Sequence, residues 1–145
     1  MLVVKTNSLG QPQWARTIGG DGDEEAESVI ALSDGSYVVC IYTKSFPLSK
    51  RSILLVKIDA NGNTLLTRAV TGEDNNRAED MIATSDGGFL VVGDLETSWT
   101  DAYDIEAIKF DSAFTIEWVG VYSGNDDENS DLVAESRDGG YFLTG

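Results

Sequence analysis

The residues best suited to chemistry in this chain are carboxylates, which gather in three short polar segments. Of the 25 aspartates and glutamates among the 145 residues, 13 lie in or beside the segments at residues 21–25, 73–77 and 125–129. Carboxylate and amide oxygens are the ligands that Ca²⁺ prefers in proteins. Cation binding is therefore the first chemistry that the sequence suggests.

Two of the three acidic segments have the residue types of a calcium-binding loop. Their candidate Ca²⁺ ligands are Asp21, Asp23, Asp126 and Asp127. Neither segment has the spaced ligands and closing glutamate of an EF-hand loop, so the match is one of residue type alone. The alternative interpretation is a set of solvated acidic loops that keep the protein soluble.

Aromatic side chains in two longer polar segments suggest a second kind of site. Residues 43–51 are basic and carry Phe46, whereas residues 95–103 are acidic and carry Trp99 and Tyr103. Equal length with unlike chemistry is typical of surface loops, where aromatic rings can stack on a sugar or anchor a protein partner. The alternative is that these rings pack onto the strands that flank their own loops.

Several classes of function are disfavoured by the composition. The chain has no histidine, and its single cysteine, Cys40, lies in an apolar run that predicts a buried strand residue. The net charge of −15 disfavours nucleic acid as a partner, and the apolar runs are too short for membrane insertion. Paired carboxylates could hydrolyse glycosides, but here they recur in exposed segments without any other catalytic motif. We therefore expect a non-enzymatic protein.

The elements that must position these residues follow from an internal repeat of 52 residues. An Asp-Gly motif followed by Gly or Ser and an aromatic residue begins at Asp34, Asp86 and Asp138. The copies align without a gap over the whole chain, which makes the repeat a strong signal. A second repeated column contains Trp14, Leu66 and Trp118, and we expect its two tryptophans to pack in the core or between units.

Each repeat predicts four short antiparallel strands. Apolar and alternating runs are separated by turns in which Asp-Gly and Asn-Gly are typical of hairpins. In the first complete unit the predicted strands cover residues 26–32, 37–42, 53–58 and 65–70. Phe114 replaces a turn glycine in the following unit, so we expect that turn to have a different geometry.

Four-stranded units repeating about every 50 residues are typical of the blades of a β-propeller. We therefore predict an all-β fold forming one repeat array over residues 1–145. The array divides into a half-blade at residues 1–20, blades at residues 21–72 and 73–124, and a half-blade at residues 125–145. A β-solenoid is the rival fold, but its coils are shorter and its strands are parallel.

About three blades are too few for a closed propeller, which has roughly 4–8 blades. The half-blades could complete each other in a homodimer, where twelve strands from each chain would give six blades. The alternative is that the chain is a piece of a longer propeller. In a propeller the acidic segments and the aromatic loops would lie on one face of the ring, which would form an acidic ligand-binding face.

The repeated residues resemble those of β-propeller repeat proteins that bacteria and archaea secrete or display on the cell surface. The resemblance is carried by the tryptophan column, the glycine and acidic segment that follow it, and the motif Ser85-Asp86-Gly87-Gly88-Phe89. It covers the whole chain and implies a binding or structural module for protein or carbohydrate ligands. It also implies an extracellular or cell-surface location, although the chain itself shows no signal peptide.

Overall fold

The computed structural model describes residues 1–44, 52–70, 75–96 and 103–145. These residues form twelve β-strands, and no helix occurs among them. The strands are β1 (Leu2–Thr6), β2 (Pro12–Thr17), β3 (Glu24–Ala31), β4 (Tyr37–Thr43), β5 (Ser52–Ile58), β6 (Thr64–Val70), β7 (Asn75–Ala83), β8 (Phe89–Glu96), β9 (Tyr103–Phe110), β10 (Ile116–Tyr122), β11 (Leu132–Glu135) and β12 (Tyr141–Thr144). The predicted all-β class is confirmed.

The strands form four antiparallel sheets, in which each strand pairs with its neighbours in the sequence. Sheet I contains β1 and β2, sheet II contains β3 to β6, sheet III contains β7 to β10, and sheet IV contains β11 and β12. Two complete four-stranded units are therefore flanked by two half-units, as the repeat predicts. Over the described residues the four sheets do not close into a ring, so the propeller stays a prediction.

The 52-residue repeat extends to the register of the strands. Val39 of β4 pairs with Val56 of β5, and the equivalent residues of sheet III, Val91 and Ile108, are also paired. Because successive side chains in a strand point to opposite faces, a shared register puts equivalent side chains on equivalent faces. Residues that lie 52 positions apart can therefore be compared directly for their surroundings.

The main core lies between sheets II and III. The ring of Phe89 stacks on Phe110, with 4.9 Å between centroids, and meets Phe114 edge-on at 4.8 Å. Val38 and Cys40 of β4 belong to the same cluster and are completely buried. The prediction of Cys40 as a buried strand residue is confirmed, and burial raises the pKa of its thiol.

The two tryptophans of the repeated column connect neighbouring sheets. Trp14 of sheet I packs against an apolar face of sheet II, and its Nε1 donates a hydrogen bond to the Ala60 carbonyl at 2.8 Å. Trp118 of sheet III lies with its ring centroid 6.0 Å from that of Tyr141 in sheet IV. The predicted packing of these rings between units is confirmed.

Sheets II, III and IV each begin with two strands joined by a turn, and this turn has the same structure in all three sheets. Asp34, Asp86 and Asp138 each accept a hydrogen bond from the backbone N–H two residues further along. The glycine after each aspartate has a φ between 82° and 88°, a left-handed conformation that glycine adopts without steric cost. Together these features explain why the Asp-Gly pair recurs at each hairpin.

Lys109 is a charged residue inside the core. Its side chain is 2% exposed, and its Nζ lies 2.9 Å from a carboxylate oxygen of both Asp86 and Glu117. Burial acts to lower the pKa of Lys109, but the hydrogen bonds to the two carboxylates outweigh it and raise the pKa. A buried ammonium is tolerated here because its charge is paired and hydrogen-bonded.

The expectation of a different turn geometry at Phe114 is wrong. The N–H of Phe114 donates to the Asp111 carbonyl at 3.0 Å, and Gly62 donates to Asp59 in the same way. Phe114 takes the left-handed conformation with a φ of 66°, which costs a non-glycine residue roughly 1–2 kcal/mol. Burial of its ring against Phe89 offsets this strain, since burying a phenylalanine contributes roughly 1.5–3 kcal/mol.

Candidate functional site

The predicted aromatic site is only partly described. Phe46 and Trp99 lie outside the described residues, whereas Tyr103 begins β9 and is half-buried. The N–H of Tyr103 donates to Asp127 Oδ1 at 3.2 Å, and its carbonyl accepts from the N–H of Glu128 at 2.9 Å. Tyr103 therefore lies beside the third acidic segment, and its role in ligand binding stays a prediction.

The four candidate Ca²⁺ ligands lie in two separate exposed segments. Asp21 and Asp23 precede β3, and an oxygen of Asp23 lies 3.7 Å from the ammonium of Lys44. Asp126 and Asp127 precede β11, and Asp127 is bonded to the start of β9. Within the described ranges, no three histidine, cysteine or acidic side chains are grouped so that they could hold a metal ion. Calcium binding by these loops stays a prediction.

Other acidic side chains of these segments form hydrogen bonds with the backbone of their own loops. Glu24 and Glu128 are equivalent residues, and each accepts a hydrogen bond from a glycine N–H four residues earlier, at 3.0 and 2.7 Å. Asn76 holds the equivalent position in sheet III and donates from Nδ2 to Glu106 at 2.6 Å in a buried site. Part of the acidic content of the segments is therefore structural.

A different group of carboxylates lies where the first strands of the units meet. Strand β7 contacts β3 on one side and β11 on the other. Strands β3 and β7 each contain a register shift that leaves one residue unpaired, Glu27 in β3 and Glu79 in β7. Such a β-bulge redirects the side chain of the extra residue. The two bulged glutamates are 52 residues apart and occupy equivalent places.

The carboxylates of Glu27 and Glu79 are partly buried and incompletely satisfied. In each of them Oε1 is buried and has no hydrogen-bond partner among the described residues. Burial raises the pKa of both carboxyls, and the guanidinium of Arg77 partly opposes this rise. The Nε of Arg77 lies 3.1 Å from Glu79 Oε1, an ion-pair distance, but without the alignment of a hydrogen bond. Such a group favours the binding of a proton or a cation.

Asp80, the neighbour of Glu79, joins three sheets. Its Oδ1 accepts a hydrogen bond from the Ser28 hydroxyl of sheet II at 3.3 Å. Its Oδ2 accepts from the N–H of Val133 in sheet IV at 3.2 Å. Because strands of different sheets share no backbone ladder here, this carboxylate is a direct polar link between the first strands of successive units.

Two further aspartates complete a negatively charged patch. Asp94 is buried and accepts from the N–H of Ser130 at 2.7 Å. The charges of Asp94 and Asp131 lie close enough to raise the pKa of Glu79 further. We call this patch the inner acidic surface, and it consists of Glu27, Glu79, Asp80, Asp94 and Asp131. Chemically it can attract and hold positively charged groups.

One feature of the sequence could have indicated this surface, namely the regular spacing of three of its acidic residues. An acidic residue recurs at Glu27, Glu79 and Asp131, at intervals of 52 residues. In the sequence these residues appear only as flanks of the acidic segments. The bulges that set two of them apart depend on strand pairing, which leaves no mark on a single stretch of sequence.

No protein-family model matches this chain, and no curated protein matches it. The described part of the chain also contains no helix long and apolar enough to cross a membrane.

Proposed function

We propose that this chain is a non-enzymatic binding or scaffolding module built as a β-propeller. The proposal is supported by four-stranded antiparallel units at a spacing of 52 residues. It is supported further by the contacts of β7 with β3 and β11, because the first strands of propeller blades lie side by side around the axis. In that arrangement the inner acidic surface would line the central channel.

The ligand that fits the inner acidic surface best is a cationic segment of a protein partner. The observation that carries this proposal is that the buried Oε1 atoms of Glu27 and Glu79 have no hydrogen-bond partner among the residues that the structure describes. A lysine or arginine side chain at this surface would be attracted by the carboxylates of Glu27 and Glu79 and would neutralise the surrounding charge. The net charge of −15 would also draw a basic partner from solution.

A matched pair of variants tests this assignment by fluorescence anisotropy with a labelled arginine-rich peptide. Glu27→Gln with Glu79→Gln removes two charges from the inner acidic surface and preserves side-chain shape. Asp21→Asn with Asp23→Asn removes the same charge from an exposed segment. We expect the first variant to weaken peptide binding about tenfold, a loss of about 1.4 kcal/mol, and the second by less than about twofold.

The same two variants separate specific binding from general attraction. An equal loss in both would mean that the peptide responds to net charge alone, and the assignment to the inner acidic surface would be wrong.

Millimolar calcium provides a further check on the exposed loops. If Asp21 and Asp23 bind Ca²⁺, calcium will raise the melting temperature of the wild type more than that of the Asp21→Asn, Asp23→Asn variant.

A further inference from the structure

An apolar groove of about 440 Å³ lies between sheets I and II. Val3 and Trp14 line it from sheet I, and Val29, Val39 and Ile58 line it from sheet II. The groove runs beside β1, which pairs with β2 and with no other described strand. A free strand edge next to an apolar groove is a suitable place for another strand to add.

The groove wall is exposed at a position that is buried in the other units. Val29 is 60% exposed, whereas Met81 and Val133, at the equivalent positions of sheets III and IV, are 2% and 8% exposed. Met81 packs in one cluster with Ile30 and Val38, which belong to the first two strands of the preceding sheet. The groove is therefore the place that the first two strands of a unit before sheet II would fill.

Sheet IV consists of the first two strands of a unit and carries the complementary face. Phe142 of β12 is 69% exposed, but its equivalents Val38 and Leu90 are completely buried. Those equivalents lie in the clusters that join sheet II to sheet III and sheet III to sheet IV. Phe142 therefore points toward the side on which a following sheet would pack, and β12 also has a free edge there among the described strands.

Charge is complementary between the two half-sheets as well. In sheet II, Lys57 on β5 lies 2.8 Å from Asp34 in the turn between the first two strands, and the same pair recurs in sheet III. The equivalent residues of the half-sheets are Lys5 on β1 and Asp138 between β11 and β12. Neither has an ion-pair partner among the described residues. Each half-sheet thus carries one member of a pair that the complete sheets form.

We propose that the β11–β12 hairpin of a second copy of this chain docks in the groove and pairs with β1, which completes a four-stranded sheet. The hairpin of the first copy makes the same contact in return, so the two chains close around a two-fold axis. Six four-stranded sheets result, within the range of roughly 4–8 blades of propellers. This inference rests on the proposed propeller.

The repeat specifies the register of the docked strands. Val56 of β5 pairs with Val39 of β4 in sheet II, and sheet III repeats this pair. The same relation places Val4 opposite Leu143 of the second copy. Opposed residues of antiparallel strands have Cα atoms about 4.5–5.5 Å apart, a separation that a disulfide can span.

Cysteine cross-linking of the full chain tests this register. Cys40→Val removes the native thiol, and valine already stands at the equivalent position in sheet III. In that background we compare Val4→Cys with Leu143→Cys against a control, Val4→Cys with Tyr141→Cys, which is displaced by two residues. Mild oxidation should link the first variant into a species of twice the chain mass of 15.6 kDa. The control should cross-link about tenfold less, because diagonal Cβ atoms are too far apart.

Charge reversal tests the ion pair independently of thiol chemistry. Lys5→Asp or Asp138→Lys alone should raise the dissociation constant of the pair of chains by about three- to tenfold, and both together should restore it. Lys44→Asp is the matched control, because Lys44 lies near Asp23, outside the groove lining. Sedimentation equilibrium measures the dissociation constants of these four variants and of the wild type.

Several results would contradict the proposed docking of the two chains. A mass of one chain at all concentrations, with intact β-sheet circular dichroism, would overturn the docking and would fit strands supplied by a longer chain. A ladder of sizes would overturn the closed pair, and cross-linking in the displaced control would overturn the register. The chain could stay a monomer while the Glu27→Gln, Glu79→Gln variant still binds the peptide more weakly than its control; the docking would then be wrong and the proposed function would stand. The chain could instead form the two-chain particle while both variants bind the peptide equally well; the proposed function alone would then be wrong.

Discussion

Phe114 occupies a turn position that belongs to glycine in the two preceding copies of the repeat. Its φ of 66° is close to the 82° of Gly62 and the 75° of Gly10. Its ring is 2% exposed and lies against Phe89 in the main core. Local backbone strain is therefore retained because burial of the ring outweighs it, and substitution can separate the two effects.

We expect Phe114→Ala to lower the free energy of unfolding by about 3–5 kcal/mol, because it removes a buried ring and keeps the strain. Phe114→Gly removes the same ring but relieves the left-handed conformation, so it should be about 1 kcal/mol more stable than the alanine variant. Gly10→Ala, at a position where a Cβ meets no atom within 4 Å, measures the strain alone. Urea unfolding compares the three, and equal stability of the alanine and glycine variants would show that no strain is stored.

At the scale of elements, side chains join strands that no backbone ladder connects. Strands β3, β7 and β11 belong to three different sheets and lie side by side. Asp80 bonds to Ser28 on one side and to Val133 on the other. A single carboxylate on β7 thus helps to hold three consecutive units in line.

Replacing Asp80 should loosen this alignment in a graded way. Asp80→Ala leaves the Val133 N–H without its acceptor and should cost about 1–3 kcal/mol of unfolding free energy. Asp80→Asn retains one acceptor oxygen and should cost less. Hydrogen exchange at the Val133 amide provides the local readout, with Asp126→Ala on an exposed loop as the control. Unchanged protection of Val133 in the alanine variant would contradict a linking role for Asp80.

The elements could be predicted from sequence because their causes are local. The Asp-Gly pairs at Asp34, Asp86 and Asp138 fix hairpins by short-range hydrogen bonds and glycine conformation, and the apolar runs between them fix the strands. Their spacing then predicts which strands share a sheet. The division into half, whole, whole and half units follows from these local signals.

The contacts that matter for a site were harder to predict because they depend on distant partners. The burial of Lys109 requires two carboxylates from different segments, and the bulges at Glu27 and Glu79 arise from strand pairing. The number of acidic residues in a segment does not show which of their carboxylate oxygens accept hydrogen bonds within the protein. Glu128 closes its own loop, while Glu27 keeps a buried oxygen without a hydrogen-bond partner among the described residues.

At the scale of the whole molecule, two pairs of acids have opposite pH responses. The pKa values of Glu27 and Glu79 are raised by burial, so the folded state binds protons more readily and gains stability as the pH falls toward 4.5. The pKa values of Asp34 and Asp86 are lowered, chiefly by hydrogen bonds from their lysine partners. Their contribution is present above their unfolded pKa of 3.8 and is lost as the pH falls further.

We therefore expect the melting temperature to rise from neutral pH to about pH 5 and to fall below about pH 4. Relief of self-repulsion in a chain of charge −15 adds to the rise. Glu79→Gln should flatten the rise more than Asp126→Asn, which removes equal charge from an exposed site. Thermal melts across this range provide the measurement, and a melting temperature that declines steadily from neutral pH would contradict the assignment of Glu27 and Glu79.

The burial of Cys40 has a consequence for the time scale of motion. Its sulfur lies in the cluster between sheets II and III with no exposed surface, and its raised pKa keeps it as the unreactive thiol. A thiol reagent can reach it only while those two sheets part. The rate of thiol labelling therefore measures how often the core opens spontaneously, and it can be measured in the native chain without any substitution.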